Sequence, residues 1–281
     1  MTLSLPSSTA FTRASKFEPL PEARTPTRSG SGIDDRPGAD PDLTDLEHAL
    51  PRRRQGLGRA RRVARAHHQE IAQAHVEGAP HLGVLASGRG SNFEALVEAV
   101  EAGRVPAVVA ALVTDRATAG ALEIARAHGV EALIVDPGQY PSREAHDNAV
   151  IAALDERGVG LVCLAGYMRI LGATFVRHFE GRLLNIHPSL LPAFPGLHAQ
   201  RQALEHGVKV AGATVHFVDE GTDTGPIVLQ AAVPVLPADT EETLSRRILS
   251  EEHRIYPEAV RLFAEGRLTI DGRRVHIRES P

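Results

Sequence analysis

Residues 81–103 read HLGVLASGRGSNFEALVEAVEAG. An apolar run of strand length is followed by a glycine-bearing turn. A helix comes next, with Phe93, Leu96, Val97 and Val100 on one stripe. The same alternation continues downstream. PAVVAALVT (106–114) is a second strand, and LEIARAHGV (122–130) is a helix that Gly129 ends. EALIV (131–135) is a third strand, SREAHDNAVIAALDERG (142–158) a helix and VGLVCLAG (159–166) a fourth strand. These strands are continuously apolar, which predicts a parallel sheet covered on both faces. LLNIH (183–187), AGATVHFV (211–218) and PIVLQAAVPV (226–235) extend the sheet, the last two with antiparallel pairing. A long helix is predicted over 239–266, with Asp239 and Glu242 as a capping pair and a kink at Pro257. LTIDGRRVHI (268–277) reads as a hairpin around Asp271-Gly272. The expected fold is α/β and Rossmann-like: a mostly parallel central sheet with helices on both faces, forming a catalytic domain over residues 80–281.

The chain has 281 residues, enough for one large core or two small domains, and its composition is that of a globular protein. A net charge of −4 exerts no global pull toward nucleic acid. No apolar run approaches the ~20 residues of a membrane helix, so no membrane partner is expected. Cys163 is the only cysteine, which excludes an intrachain disulfide and points to a reducing, cytoplasmic compartment. Its place inside VGLVCLAG makes it a structural thiol. Residues 1–79 differ in kind. They are rich in Ser, Thr, Pro, Asp and Arg, and are expected to be a disordered N-terminal extension. The first residues have a transit-peptide flavour, but Pro6 and the early Glu18, Glu22, Asp34 and Asp35 argue against targeting. Seven arginines lie between Arg52 and Arg65. They suit either a solvated basic tail or an arm for an anionic surface; the tail is the favoured reading, and nucleic acid is not an expected partner.

Two constellations carry chemistry. The first is SGRGSN (87–92), between the first strand and first helix. Glycine lets backbone N–H groups approach an anion, and the helix N-terminus behind it carries partial positive charge. Gly90, Ser91 and Asn92 therefore suit a phosphate, although a plain structural turn has the same appearance. No Lys-Ser/Thr follows Gly90, so this is not a Walker loop, and the third glycine of a dinucleotide fingerprint is missing. The second is LLNIHPSLLPAFPGLHA (183–199), a strand that meets three prolines within eight residues. Residues two apart on a strand share a face, so Asn185 and His187 project together while Ile186 enters the core. They sit at a strand's carboxyl end, where open α/β sheets place their ligand crevice. A pair of polar groups at the core edge is the alternative.

DEGTDTGPIVLQ (219–230) crowds Asp219, Glu220 and Asp223 onto one turn. The turn suits a solvated loop, or a carboxylate that reaches His187; calcium ligand spacing is missing. A carboxylate beside an imidazole favours the charged form, so the pKa of His187 is expected above about 6.5. No nucleophilic serine or cysteine is positioned, which leaves direct attack by a substrate amine as the simplest chemistry. His187, His198, His206, His216 and His253 form no metal-ligand spacing, and no metal is expected.

GRGSN (88–92), SREAHD (142–147), LAGYMRIL (164–171), LLNIHPSLLPAFPGLHAQRQAL (183–204), GATVHFVDEGTDTGPIVLQ (212–230) and EEHRIYP (251–257) occur in this order. Together they resemble the phosphoribosylglycinamide formyltransferase family, over residues 81 to about 270. The resemblance implies transfer of a formyl group from 10-formyltetrahydrofolate, as co-substrate, to the amine of the glycinamide ribonucleotide, a step of de novo purine synthesis. It implies Gly90, Ser91 and Asn92 as the phosphate cradle and Asn185, His187 and Asp223 as the catalytic trio. Met168, Arg169, Ile170, Leu171 and Asn185 would face the folate, with Arg143 a further contact. Glu252 would help hold the glycinamide end, and the loop 219–223 would close over the pterin. The implied mechanism holds a tetrahedral oxyanion between Asn185 and a protonated His187. Met168, Ile170 and Leu171 have plain core as an alternative reading, and Arg143 a solvated helix charge. Formyltetrahydrofolate deformylase and methionyl-tRNA formyltransferase share the Asn-X-His…Asp core. The first lacks the GSN cradle, and the second carries an added C-terminal domain. A catalytically dead nucleotide sensor is the reading outside the enzyme class. Small molecules are the expected partners, and oligomeric state is open, with a homodimer compatible.

Overall fold

The computed structural model describes residues 78–279. The expected extension over 1–79, including its arginine run, lies almost wholly outside the described residues. Nine strands form one sheet in the order β3-β2-β1-β4-β5-β6-β7-β9-β8. They are β1 (His81–Leu85), β2 (Val108–Thr114), β3 (Ala132–Ile134), β4 (Val159–Leu164), β5 (Leu183–His187), β6 (Val210–Phe217), β7 (Ile227–Pro234), β8 (Leu268–Asp271) and β9 (Arg274–Ile277). The first five pair in parallel. The direction reverses at β5–β6 and again at β6–β7, which are antiparallel. β8 and β9 form the predicted hairpin, attached to β7 at a single position.

Helices α1 (Ser91–Glu101), α2 (Ala121–His128), α3 (Arg143–Asp155), α4 (Ala173–His178), α5 (Ala199–Glu205) and α6 (Glu241–Ala264) connect the strands. Two buried clusters show how they divide. Residues of α1, α2, α5 and α6 pack on one face of the sheet. Residues of α3 and α4 pack on the other. Apolar strands buried from both sides follow from this arrangement. The short helices α4 and α5 have no counterpart in the sequence reading, because one or two turns leave too little periodicity to detect.

The capping expectation for α6 is corrected. Thr240, not Asp239, caps the helix: its hydroxyl accepts from the Thr243 N–H at 3.3 Å, and the Thr243 hydroxyl accepts from the Thr240 N–H at 2.9 Å. Asp239 instead binds Arg247 through two contacts of 2.8 and 2.9 Å, and these bonds hold its carboxyl far below the usual carboxylate range. Pro257 does not end the helix, which runs on to Ala264. Among the described residues, no helix is long and apolar enough to cross a membrane.

Tyr256 links α6 to the sheet. It is fully buried, and its hydroxyl donates to the carbonyls of Leu164 at 3.0 Å and Leu184 at 3.2 Å, on the neighbouring strands β4 and β5. Cys163 lies beside it, and burial pushes that thiol up to about 12, so it stays protonated as a structural cysteine should. Tyr256→Phe keeps the packing and removes the shared donor. Urea unfolding should show a loss of about 1–3 kcal/mol, the usual cost of leaving buried acceptors without their partner. An unchanged transition midpoint would mean that the sheet satisfies those carbonyls by itself.

Candidate active site

β1, β4 and β5 are neighbours and run parallel, so the loops at their carboxyl ends gather on one edge. The order reverses between β1 and β4, where such sheets leave a crevice. The loop after β1 ends at Gly90, and Ser91 and Asn92 open α1. Gly90 caps α1 with a φ of 87°, and a Cβ there would lie 2.7 Å from the Cα of Ala121. Both facts require glycine. The first N–H groups of α1 have no acceptor within the helix, which suits an anion.

Asn92 reaches across to α6. Its Nδ2 donates to Oε2 of Glu252 at 2.7 Å. Glu252 is 7 % exposed, and burial raises its pKa although the Asn92 bond opposes the shift. The Oδ1 of Asn92 is buried without a partner among the described residues. The structure thus brings together residues 92 and 252, which an acidic helix by itself gave little reason to connect.

The loop after β4 starts next to Asn185, since Leu164 pairs with that residue. Ser87, just after β1, anchors it by accepting from the Met168 N–H at 2.9 Å. Asp147 anchors its far end by accepting from the Gly172 N–H at 2.7 Å. Between these anchors Met168 is 60 % and Ile170 71 % exposed, so neither is core. Leu171 is half-buried, packed against the α3–α4 side, and Arg169 is half-buried. Arg143 is exposed, and its Nη2 donates to the Leu171 carbonyl at 3.3 Å. The five residues therefore share one loop and its helical support, with two apolar side chains presented outward.

Asn185 and His187 project together from β5 and meet one carboxylate. Oδ2 of Asp223 lies 3.3 Å from Nδ1 of His187 and accepts from the Gly196 N–H at 2.7 Å. Oδ1 of Asp223 accepts from Nδ2 of Asn185 at 3.4 Å. His187 is 5 % exposed, and its Nε2 donates to the Phe194 carbonyl at 2.9 Å. Asp223 itself has a φ of 53°, and Phe194 and His198 have φ of 54° and 59°. Three non-glycine residues in this sparse region gather on the loops around one carboxylate, as happens where a site holds its backbone in place. Gly225 lets the Asp223 loop close: a Cβ there would lie 1.9 Å from the Phe217 carbonyl oxygen.

The electrostatics differ from the expectation for His187. Burial pushes its pKa below the ordinary value, and the Phe194 carbonyl and the Asp223 carboxylate only partly restore it, while His216 adds to the fall. The sequence shows the carboxylate partner but not the loss of water. For Asp223, burial acts upward, and contacts with His216, the Gly196 N–H and His187 outweigh it, so its pKa is lowered. Both ring nitrogens of His187 face acceptors, the Phe194 carbonyl and the Asp223 carboxylate, so these contacts favour the charged ring while burial opposes it.

His216 is a member of this cluster that the motif reading did not assign. Its Nε2 lies 3.2 Å from Nδ2 of Asn185 and 3.6 Å from Oδ1 of Asp223. The pairing of β5 with β6 sets Asn185 directly opposite His216. Within AGATVHFV it looks like any alternating strand residue, and only the register reveals it. Among the described residues, no group of three or more His, Cys, Asp or Glu is placed to hold a metal.

Comparison with known proteins matches residues 81–260 to the formyl transferase family. The phosphoribosylglycinamide formyltransferase of Mycobacterium tuberculosis is 50% identical over 190 residues, 68% of this chain and 87% of that protein. The trifunctional purine biosynthetic protein adenosine-3 of Drosophila pseudoobscura is 49% identical over 187 residues, but the match spans only 14% of its length. Among solved structures, glycinamide ribonucleotide transformylase 1 of Symbiobacterium toebii superposes with a TM-score of 0.72 at 61% identity, covering 73% of this chain and 96% of that one. A formyltetrahydrofolate deformylase from Pseudomonas syringae, at 24% identity, shares the fold. This chain belongs to the formyl transferase family.

Proposed function

We propose that this chain transfers the formyl group of 10-formyltetrahydrofolate to the amine of 5′-phosphoribosylglycinamide, a step of de novo purine biosynthesis. The observation that carries the reading is the Asp223 carboxylate, which touches both Asn185 and His187 at the carboxyl end of β5. A deformylase needs the donor alone. Here a second subsite lies alongside, with a glycine-started helix for a phosphate and a buried Glu252 for an amine. Relatives named for the same transfer match 87% or more of their own length, in Escherichia coli and Bacillus subtilis. A cytoplasmic setting and small-molecule partners fit this reading.

Gly90, Ser91 and Asn92 hold the phosphate, and Glu252 orients the amine. Met168 and Ile170 offer an apolar wall to a flat donor, while Arg169 and Arg143 stand near for its carboxylates. With both substrates held, attack becomes effectively intramolecular, which supplies much of the rate. As the amine nitrogen bonds to the formyl carbon, negative charge gathers on the formyl oxygen. Asn185 and His187 are the groups that meet this reacting centre. The new negative charge raises the depressed pKa of His187, and Asp223 balances the imidazolium that results. The proton given up by the amine is the one the site must accept, directly or through water, as the bond to the donor nitrogen breaks.

A spectrophotometric transfer assay with and without the ribonucleotide tests the assignment. Turnover that depends on the ribonucleotide is expected; donor breakdown that ignores it would move the chain to hydrolysis. His187→Asn and Asp223→Asn should each lower kcat by about 10²–10⁴-fold with little change in ribonucleotide binding. Near-normal kcat in either would remove that residue from the chemistry. Glu252→Gln should raise KM for the amine substrate by about ten- to a hundredfold and leave the KM of the donor unaltered. Finally, an NMR titration of the His187 ring should give a midpoint below that of an ordinary histidine. Asp223→Asn should move it lower still, because the carboxylate favours the charged ring. An upward move would reverse the assigned balance of burial and charge.

A further inference from the structure

His216 is 1 % exposed and its ring is fixed by what it touches. Nδ1 lies 2.8 Å from the carbonyl oxygen of Phe217. A carbonyl only accepts, so Nδ1 carries hydrogen. In the neutral ring the other nitrogen is then a bare acceptor. That nitrogen, Nε2, stands 3.2 Å from Nδ2 of Asn185, and the same Nδ2 stands 3.4 Å from Oδ1 of Asp223. An amide NH2 has two hydrogens, and these two acceptors take both. The opposite orientation would place the amide oxygen against a carboxylate oxygen and a bare imidazole nitrogen, with no hydrogen between them. Neutral His216 therefore turns the NH2 of Asn185 inward. The carbonyl end of the amide, which makes no hydrogen bond among the described residues, is what remains for a substrate.

Protonation of His216 reverses the preference. Nε2–H then faces the NH2, donor against donor. Rotating the amide by half a turn puts its oxygen on Nε2–H and directs its two hydrogens outward. The charged groups facing His216 are Asp223, at 3.6 Å from the loop after β6, and His187 from β5. On the β7 side its partner is the uncharged Ile227. An imidazolium at this point would face both the carboxylate and the amide oxygen, and its charge would offset the contact between those two acceptors, whose positions lie 3.4 Å apart.

We infer that His216 is a positioning residue for the transfer: the hydrogen on its Nε2 decides which end of the Asn185 amide meets the substrates. With Nε2 bare, Asn185 offers an acceptor, suited to an N–H of the incoming amine. With Nε2 protonated, Asn185 offers a donor, suited to the oxygen that gains charge. This inference rests on the formyl-transfer reading for its catalytic meaning, though the amide orientation itself does not.

The chain has three asparagines, Asn92, Asn148 and Asn185, so the side-chain NH2 signals can be assigned by substitution. An NMR pH titration of the substrate-free protein should show the Asn185 NH2 signal moving with the midpoint of the His216 ring, and not with that of His187. His216→Gln should abolish this movement. In the same variant the pH profile of kcat should lose one ionisation, whereas a purely structural role would lower kcat evenly at every pH. An Asn185 signal in the unaltered protein that ignores His216, or follows His187, overturns the inference whether or not the variant folds. The expected titration without ribonucleotide-dependent turnover would overturn the reaction assignment alone and leave the amide orientation standing.

Discussion

The Asp223 carboxylate joins parts of the chain that the fold brings close from different directions. Its two oxygens reach β5 through Asn185 and His187, β6 through His216, and the segment after β5 through the Gly196 N–H. Removing it would leave a buried imidazole, a half-buried amide and a backbone donor all short of an acceptor. The loop that carries it is built accordingly. Asp219 accepts from the Gly221 N–H and the Thr224 hydroxyl, Arg273 of the terminal hairpin donates to the Thr224 carbonyl, and Gly225 passes close to the Phe217 carbonyl. The left-handed backbone at Asp223 is the local cost of this placement.

The change of strand direction after β5 makes the cluster attainable. In the parallel half, each strand end delivers one loop to the crevice. At β5–β6 the antiparallel register instead sets side chains opposite one another, so Asn185 faces His216 and His187 faces Thr214. The site therefore draws loops from its parallel neighbours and a cross-strand side chain from its antiparallel one. Tyr256 secures the junction from beneath, with one hydroxyl shared between β4 and β5, and it lies one helical turn beyond Glu252. The helix that braces the sheet thus also carries the carboxylate bonded to Asn92.

The chemistry of the pair shows why burial matters beyond proximity. An aspartate beside a histidine suggests a charged imidazole, yet His187 loses most of its water and its pKa falls. A ring held between burial and its acceptors responds to charge that appears during reaction, since charge acts strongly where water is excluded. The same exclusion keeps Cys163 an inert thiol.

Local sequence determined the elements and several of their ends. Gly129 closes α2 in a left-handed conformation, Ser142 caps α3, and Gly272 turns the last hairpin. It also determined that Asn185 and His187 share a face, because strand period two is a property of the backbone alone. Other features depend on neighbours remote in the chain, which no local pattern records. Thr240 rather than Asp239 caps α6 because Arg247, two turns on, claims the aspartate. Glu252 gains its meaning from Asn92, 160 residues away in sequence, and His216 from the register of β6 against β5. The direction of the His187 pKa shift was decided last, by packing that removes water. Sequence lists the charges near a group, but only tertiary structure settles how much solvent is left to screen them.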